Sequence, residues 1–463
     1  MLILATAIKA LQQLIIHAQP EQTRLSVELQ PLHATDLIEW FDAQILFPQF
    51  YWQSRDCDEE VVALGQCCHF HDLDTAKNQL NEQQRIWGGC AFSHQDYYFL
   101  PQIELTRKNS RWQLSVNLPA HSVNVHDGDG DGIKSTQQAY DKAALLESLA
   151  HLITPAPTPL PLSYKIEARS HYPEFNQWSH LVTKALNAIE QQDFDKVVLA
   201  RKTKLTLNRP LSAAQFLQQS RLVNQQCYHF IFALQANDYF VGSTPELLFS
   251  RKQRQLDTEA LAGTAARSDD AAEDRGLAHW LLHDSKNRYE NSLVVGDLMA
   301  RLDPRCDSLQ VSVQPELVKL RKVQHLKHHI SGTLTTDVDD AELLANLQPT
   351  AAVAGLPRQP ALNFIVNNEP FLRGWYSGAL GYVGLQQSEF CVAIRSARIL
   401  GHEVQLFSGA GIVPGSNPVS EWQELERKTA TLLTLLEPDS TVNCNMDCDD
   451  IRLNAFVPEL QRA

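Results

Sequence analysis

No apolar run in the 463-residue sequence approaches the roughly 20 residues a helix needs to span a bilayer, so no membrane-crossing helix is expected. Positive charge is scarce as well. Forty Lys and Arg stand against 54 Asp and Glu, a formal charge of -14. That balance argues against nucleic acid or an anionic membrane as the main partner, because both require basic patches. An anionic small molecule would have to be met by a few local cations or by a metal. The nine cysteines (57, 67, 68, 90, 227, 306, 391, 444 and 448) lack the even number and regular spacing of a disulfide framework, which points to free thiols in a reducing cytoplasm. Cys444 and Cys448 lack the second pair that a zinc site needs. The apolar N-terminus lacks a clear small-residue cleavage site and is interrupted by Lys9, Gln12 and Gln13. Leu4, Ile8, Leu11 and Ile15 recur there at helical spacing, so an amphipathic helix docked on the domain is expected rather than a signal peptide.

With 44% hydrophobic and 20% charged residues, the composition is that of an ordinary soluble protein long enough to bury a large core. Residues 45–52, 86–92, 97–100 and 112–116 read as strands, each rich in aromatic or β-branched residues between polar or glycine breaks. Residues 127–132, Asp-Gly-Asp-Gly-Asp-Gly, imitate a calcium loop. Gln138 stands where its closing glutamate belongs, so a flexible acidic turn is the better reading. Leu145-Leu146-Glu147-Ser148 fits a helix with a core face and a surface face. A proline-rich stretch, residues 154–161, joins the two halves of the chain. Beyond it, Trp178, Leu181, Val182, Ala185, Leu186 and Ile189 form one helical stripe within residues 175–192. Residues 196–200 read as a buried strand, and 228–234 with 239–242 as a hairpin around Asn237-Asp238. Strands, hairpins and long helices together predict an α+β fold.

Near the C-terminus, Ser408-Gly409-Ala410-Gly411-Ile412-Val413-Pro414-Gly415-Ser416 reads as a glycine-rich turn able to bring backbone N–H groups close to a ligand. The acidic run after it reads as the start of a helix that places Glu421 and Glu424 on one face. Such a face suits a hard cation, Mg2+, bound to an anionic substrate; it equally suits a solvated helix N-terminus. Five further segments occur in order: Asp195 to Arg201, Gly242-Ser243-Thr244-Pro245-Glu246, Leu261-Ala262-Gly263-Thr264, Lys286-Asn287-Arg288-Tyr289-Glu290, and Val392-Ala393-Ile394-Arg395-Ser396. Together these six segments resemble the chorismate-utilising enzymes: isochorismate and salicylate synthases and the large subunits of anthranilate and aminodeoxychorismate synthases. The resemblance spans residues 175–436.

The resemblance implies two large antiparallel β-sheets packed as a sandwich, helices outside, and an active site in a cleft. It implies residues 1–160 as a variable part of the same domain, 161–437 as the chorismate-binding region, and 438–463 as a tail. Lys196 opens an apolar run, where a lysine must be paired or lose its charge; its alternative is a strand-end lysine reaching solvent. By resemblance it is the base that activates water for attack at C2 of chorismate. Anthranilate synthases carry glutamine there. Glu246, which on its own could be a helix-start glutamate, corresponds to the acid that protonates the departing C4 hydroxyl. Glu290 and Glu424 correspond to Mg2+ ligands, with Glu421 close by. Asn287 departs from the anthranilate pattern, where a second acid stands. Arg395 and Tyr376 would hold a substrate carboxylate, with Gly263, Thr264, His325, Gly411 and Lys428 lining the pocket. A standalone, Mg2+-dependent isochorismate synthase for menaquinone formation, with no amidotransferase subunit, is the reading this favours. Salicylate synthase and a siderophore-pathway enzyme are the nearest alternatives.

Overall fold

In the computed structural model, residues 3–30, 37–93, 96–118, 142–153 and 164–436 are described. The acidic stretch 127–132, the proline-rich stretch 154–161, the Cys444/Cys448 pair and the tail 438–463 lie outside them. Among the described residues, two antiparallel sheets of 12 and 10 strands account for the architecture. They face each other across an aromatic layer. Phe50, Trp52, Phe230 and Phe232 come from the larger sheet, and Trp87, Phe99 and Tyr382 from the smaller. The Phe50 and Trp87 rings lie 5.3 Å apart across the divide. Burial of each such side chain contributes about 1.5–3 kcal/mol.

Helices cover the outer faces. The N-terminal segment forms the helix Leu4–His17, which buries Leu4, Ala7, Leu11 and Ile15 against the larger sheet. The helix Lys142–Ala150 buries Leu145 and turns Ser148 to Gln102. The helix Phe175–Glu190 presents its apolar stripe to Trp422 and the central strands Lys196–Leu207 and Glu403–Ile412.

The N-terminal strands do not form a layer of their own. Gln49–Gln53 pairs with Tyr228–Gln235 in the larger sheet, and Ile86–Cys90 pairs with Ala379–Val383 in the smaller. The strand expected over residues 97–100 is present as Tyr97–Leu100, and the one over 112–116 extends to Arg111–Asn117. That expected over 45–52 starts only at Gln49: Ile45 is 72% exposed, and Pro48 has no N–H for a ladder. One expected turn proves to be strand: Ser408 to Ile412 end the strand Glu403–Ile412. The strand expected over 239–242 extends to Asp238–Thr244. The seven cysteines among the described residues are free thiols, and no helix there is long and apolar enough to cross a membrane.

Candidate active site

Glycine in the strand Glu403–Ile412 supplies space. A Cβ on Gly411 would stand 2.1 Å from Glu290 Oε1 and 3.1 Å from Lys196 Cε, and one on Gly409 would stand 2.8 Å from the Tyr376 hydroxyl. Bare backbone at these positions lets side chains from three other segments converge. The resulting cleft lies between the sheets. Its walls include Glu246, Gly263, Thr264, Glu290, His325, Tyr376, Arg395, Gly411 and Lys428.

Lys196 is fully buried and does not itself line the cleft. Its Nζ lies 3.1 Å from Glu290 Oε1, so of the two outcomes open to a lysine in an apolar run, pairing is the one observed. Glu246 sits on the connection between the strands Asp238–Thr244 and Leu247–Lys252. Burial, and then the nearby Glu259 carboxylate, push its pKa up to about 8, against the opposing pull of Lys196, Lys428 and Arg395.

Gly263 adopts φ +80° where the register of its strand slips between Ala262 and Thr264. The bulge turns the Thr264 N–H to Asn287 Oδ1 at 2.9 Å and the Gly263 carbonyl to His325 Nδ1 at 3.2 Å. Asn287 Nδ2 also donates to Asp284 Oδ2 at 2.7 Å. An ionised acid at position 287 could not make that donation.

His325 Nε2 lies 2.7 Å from Arg395 Nη2. A guanidinium only donates, so Nε2 is the acceptor and Nδ1 carries the proton. Burial and the Arg395 charge hold this imidazole well below its ordinary pKa, and therefore neutral. Arg395 itself is 6% exposed and adopts φ +49°, a left-handed conformation unfavourable for an arginine. Its Nε and Nη1 have no hydrogen-bond partner among the described residues. A buried guanidinium with two free donors is a ready anion site. Tyr376 is stacked on Phe407 at 5.2 Å, and burial raises its pKa, so its hydroxyl stays protonated.

Lysines answer the three carboxylates expected to hold a metal: Lys196 for Glu290, Lys286 for Glu421 at 2.5 Å, and Lys428 for Glu424 at 2.7 Å. Glu421 and Glu424 do share one face of the helix Pro418–Leu433, which is capped by Asn417. Burial, and then Glu424, raise the pKa of Glu421. Burial acts most strongly on Glu424 in the same sense, but Lys428, Lys286 and Arg427 together outweigh it and hold the value below that of an ordinary glutamate. Among the described residues, however, no three His, Cys, Asp or Glu side chains are gathered as a metal centre. Each of the three carboxylates, buried or partly buried, takes an ammonium instead. The donor set is all oxygen and suits a hard divalent cation, provided the lysine pairs are exchanged.

Residues 79–437 match the family model for chorismate binding enzymes. The chain belongs to the chorismate-binding enzyme family. The match begins nearly a hundred residues before the resemblance legible in the motifs. Isochorismate synthase MenF of Escherichia coli is 43% identical over 411 residues, 87% of this chain and 91% of that protein. Isochorismate synthase MenF of Haemophilus influenzae is 39% identical over 425 residues, 91% of this chain and 94% of that protein. The solved structure of the menaquinone-specific isochorismate synthase MenF from Escherichia coli superposes with a TM-score of 0.82 at 40% identity, covering 94% of this chain and 99% of that one. Within the chorismate-binding enzymes, the chain groups with the isochorismate synthases. Two residues of the cleft's surroundings, Arg55 and Glu259, fall outside every motif. Only a buried glutamate in an apolar run, Glu259 before Ala260 to Ala262, hinted at either.

Proposed function

We propose that this enzyme interconverts chorismate and isochorismate with Mg2+, adding water at C2 while the C4 hydroxyl leaves, in the formation of menaquinone. The observation that carries the reading is a carboxyl with a pKa of about 8 facing a cleft that also holds a buried, partly unpartnered guanidinium. Glu246 retains its proton at neutral pH and can give it to the departing C4 oxygen. Lys196, having first released its own ammonium proton to solvent on parting from Glu290, would as the free amine take a proton from the attacking water while the C2–O bond forms. One water is consumed at C2 and one is released from C4, so the reaction balances as an isomerisation. Arg395, oriented by neutral His325, would clamp a substrate carboxylate, with the Tyr376 hydroxyl beside it.

Glu290, Glu421 and Glu424 are the residues that would hold Mg2+, whose charge would neutralise a substrate carboxylate. The lysine at 196, where a glutamine is expected of an ammonia-using enzyme, favours a standalone protein without an amidotransferase partner. Free thiols favour the cytoplasm. Lys196→Ala should abolish turnover while chorismate binding, followed by calorimetry with Mg2+ present, persists. A variant that still turns over at near-normal rate would remove Lys196 from the mechanism.

A further inference from the structure

The carboxyl of Glu246 is carried on a short connection held from both sides by an ion pair no motif includes. Glu259, on the strand Gln255–Ala266, is 4% exposed. Its Oε1 accepts the Leu247 N–H at 2.9 Å and Arg55 Nη1 at 2.6 Å. Arg55 Nη1 also donates to the Pro245 carbonyl at 3.0 Å. The peptide groups just before and just after Glu246 are thus tied to one guanidinium–carboxylate pair. The backbone of Glu246 is held as well: its N–H reaches Thr244 Oγ1 at 3.3 Å, and its carbonyl accepts the Val392 N–H at 3.0 Å. What remains free is its side chain.

With its carboxylate buried and its guanidinium partly exposed, such a pair is a poor source of stability, because desolvation of Glu259 offsets much of the attraction. Its value lies in what it orders. Among the described residues, the charged groups that act most on Glu246 are Glu259 on the adjoining hairpin, Lys196 on the central strand, Lys428 on the C-terminal helix and Arg395; the Cys391 thiol, held neutral by burial, faces it as well. Of the four charged groups, Glu259 is the one anion, and it alone favours the protonated form. Arg55 comes from the turn between the strands Gln49–Gln53 and Glu59–Leu64, so the N-terminal part of the chain reaches into the catalytic machinery.

We propose that Glu259 and Arg55 are positioning residues for the acid Glu246, fixing the backbone on either side of its carboxyl while Glu259 sets a negative charge beside it. The proposal rests on Glu246 being the acid.

The test is the pH profile of kcat/KM for chorismate conversion, measured on the full chain with Mg2+. Glu259→Gln keeps an oxygen for Leu247 and Arg55 but loses the charge. Its alkaline limb should move down by about one pH unit, the lower end of what a neighbouring charge does to a carboxyl. Arg55→Met should lower kcat by roughly 10-fold or more with little change in KM, as expected for a misplaced reacting group, and Arg55→Lys should recover part of that loss. Glu246→Gln separates the two claims. If it stays active, the acid assignment itself is lost. If it is inactive while Glu259→Gln keeps the parental limb, the positioning role is overturned. Should Glu259→Gln fail to melt cooperatively, the Arg55 pair decides: no recovery by lysine, or a change confined to KM, overturns the proposal.

Discussion

At residue scale, Glu246 shows how one environment sets both activity and stability. Burial and the Glu259 charge raise its pKa to about 8, against about 4.3 for a glutamate in the unfolded chain. A proton donor loses function as pH rises through its own pKa, so kcat/KM should fall above about pH 8. Between these two values the folded state binds the extra proton, so this group's contribution to stability declines as pH rises from about 4.3 to 8. Glutamine is neutral throughout. Glu246→Gln should therefore lower kcat by roughly 10²–10⁴-fold and raise Tm at pH 8. A scanning-calorimetry trace with an unchanged or lower Tm would contradict the burial argument. Of the residues around this carboxyl, Lys196, Arg395 and Lys428 were legible because they stand in or beside family motifs. Arg55 was not, since nothing in the stretch Ser54 to Asp58 marks a turn as reaching a cleft about 190 residues further along the chain.

At element scale, the closing glycine signature shows what a local reading can and cannot yield. Closely spaced glycines predict a turn, yet the sheet holds this segment extended, with Gly411 opposite Val198 and Gly409 opposite Ala200. The missing side chains serve Glu290, Lys196 and Tyr376, which arrive from distant parts of the chain. Sequence patterning carried the amphipathic helices and the strand Tyr97–Leu100 well, because those depend on neighbours at fixed offsets. It could not carry a convergence of four segments. The distinction can be measured. In Gly411→Ala the new methyl meets the movable end of Glu290, so the fold should hold within a few degrees of Tm while activity is largely lost. In Gly89→Ala the new Cβ stands 1.9 Å from the Ala379 carbonyl, which is backbone and cannot yield. That variant should lose several kcal/mol, in the range of severe core substitutions. Equal Tm values for the two variants would refute this account of the signature.

At the scale of the whole molecule, the facing central strands and flanking helices of the two sheets bring the acid Glu246, the Arg395 guanidinium and Glu290 to one cleft, with Lys196 buried behind Glu290. Both sheets include strands from the first third of the chain, and so does the ion pair beside Glu246. A chain restricted to residues 161–437 would expose the edges of Tyr228–Gln235 and Ala379–Val383 along with half of the aromatic layer. It should aggregate or remain unfolded by circular dichroism; a soluble, active fragment would show that the N-terminal part is dispensable. The chemistry is tested by incubating the purified protein with chorismate, with Mg2+ or with chelator, and following the products by NMR. Isochorismate should approach equilibrium with chorismate in the presence of Mg2+, with no conversion under chelator. Salicylate with stoichiometric pyruvate, or conversion indifferent to the metal, would contradict that chemistry.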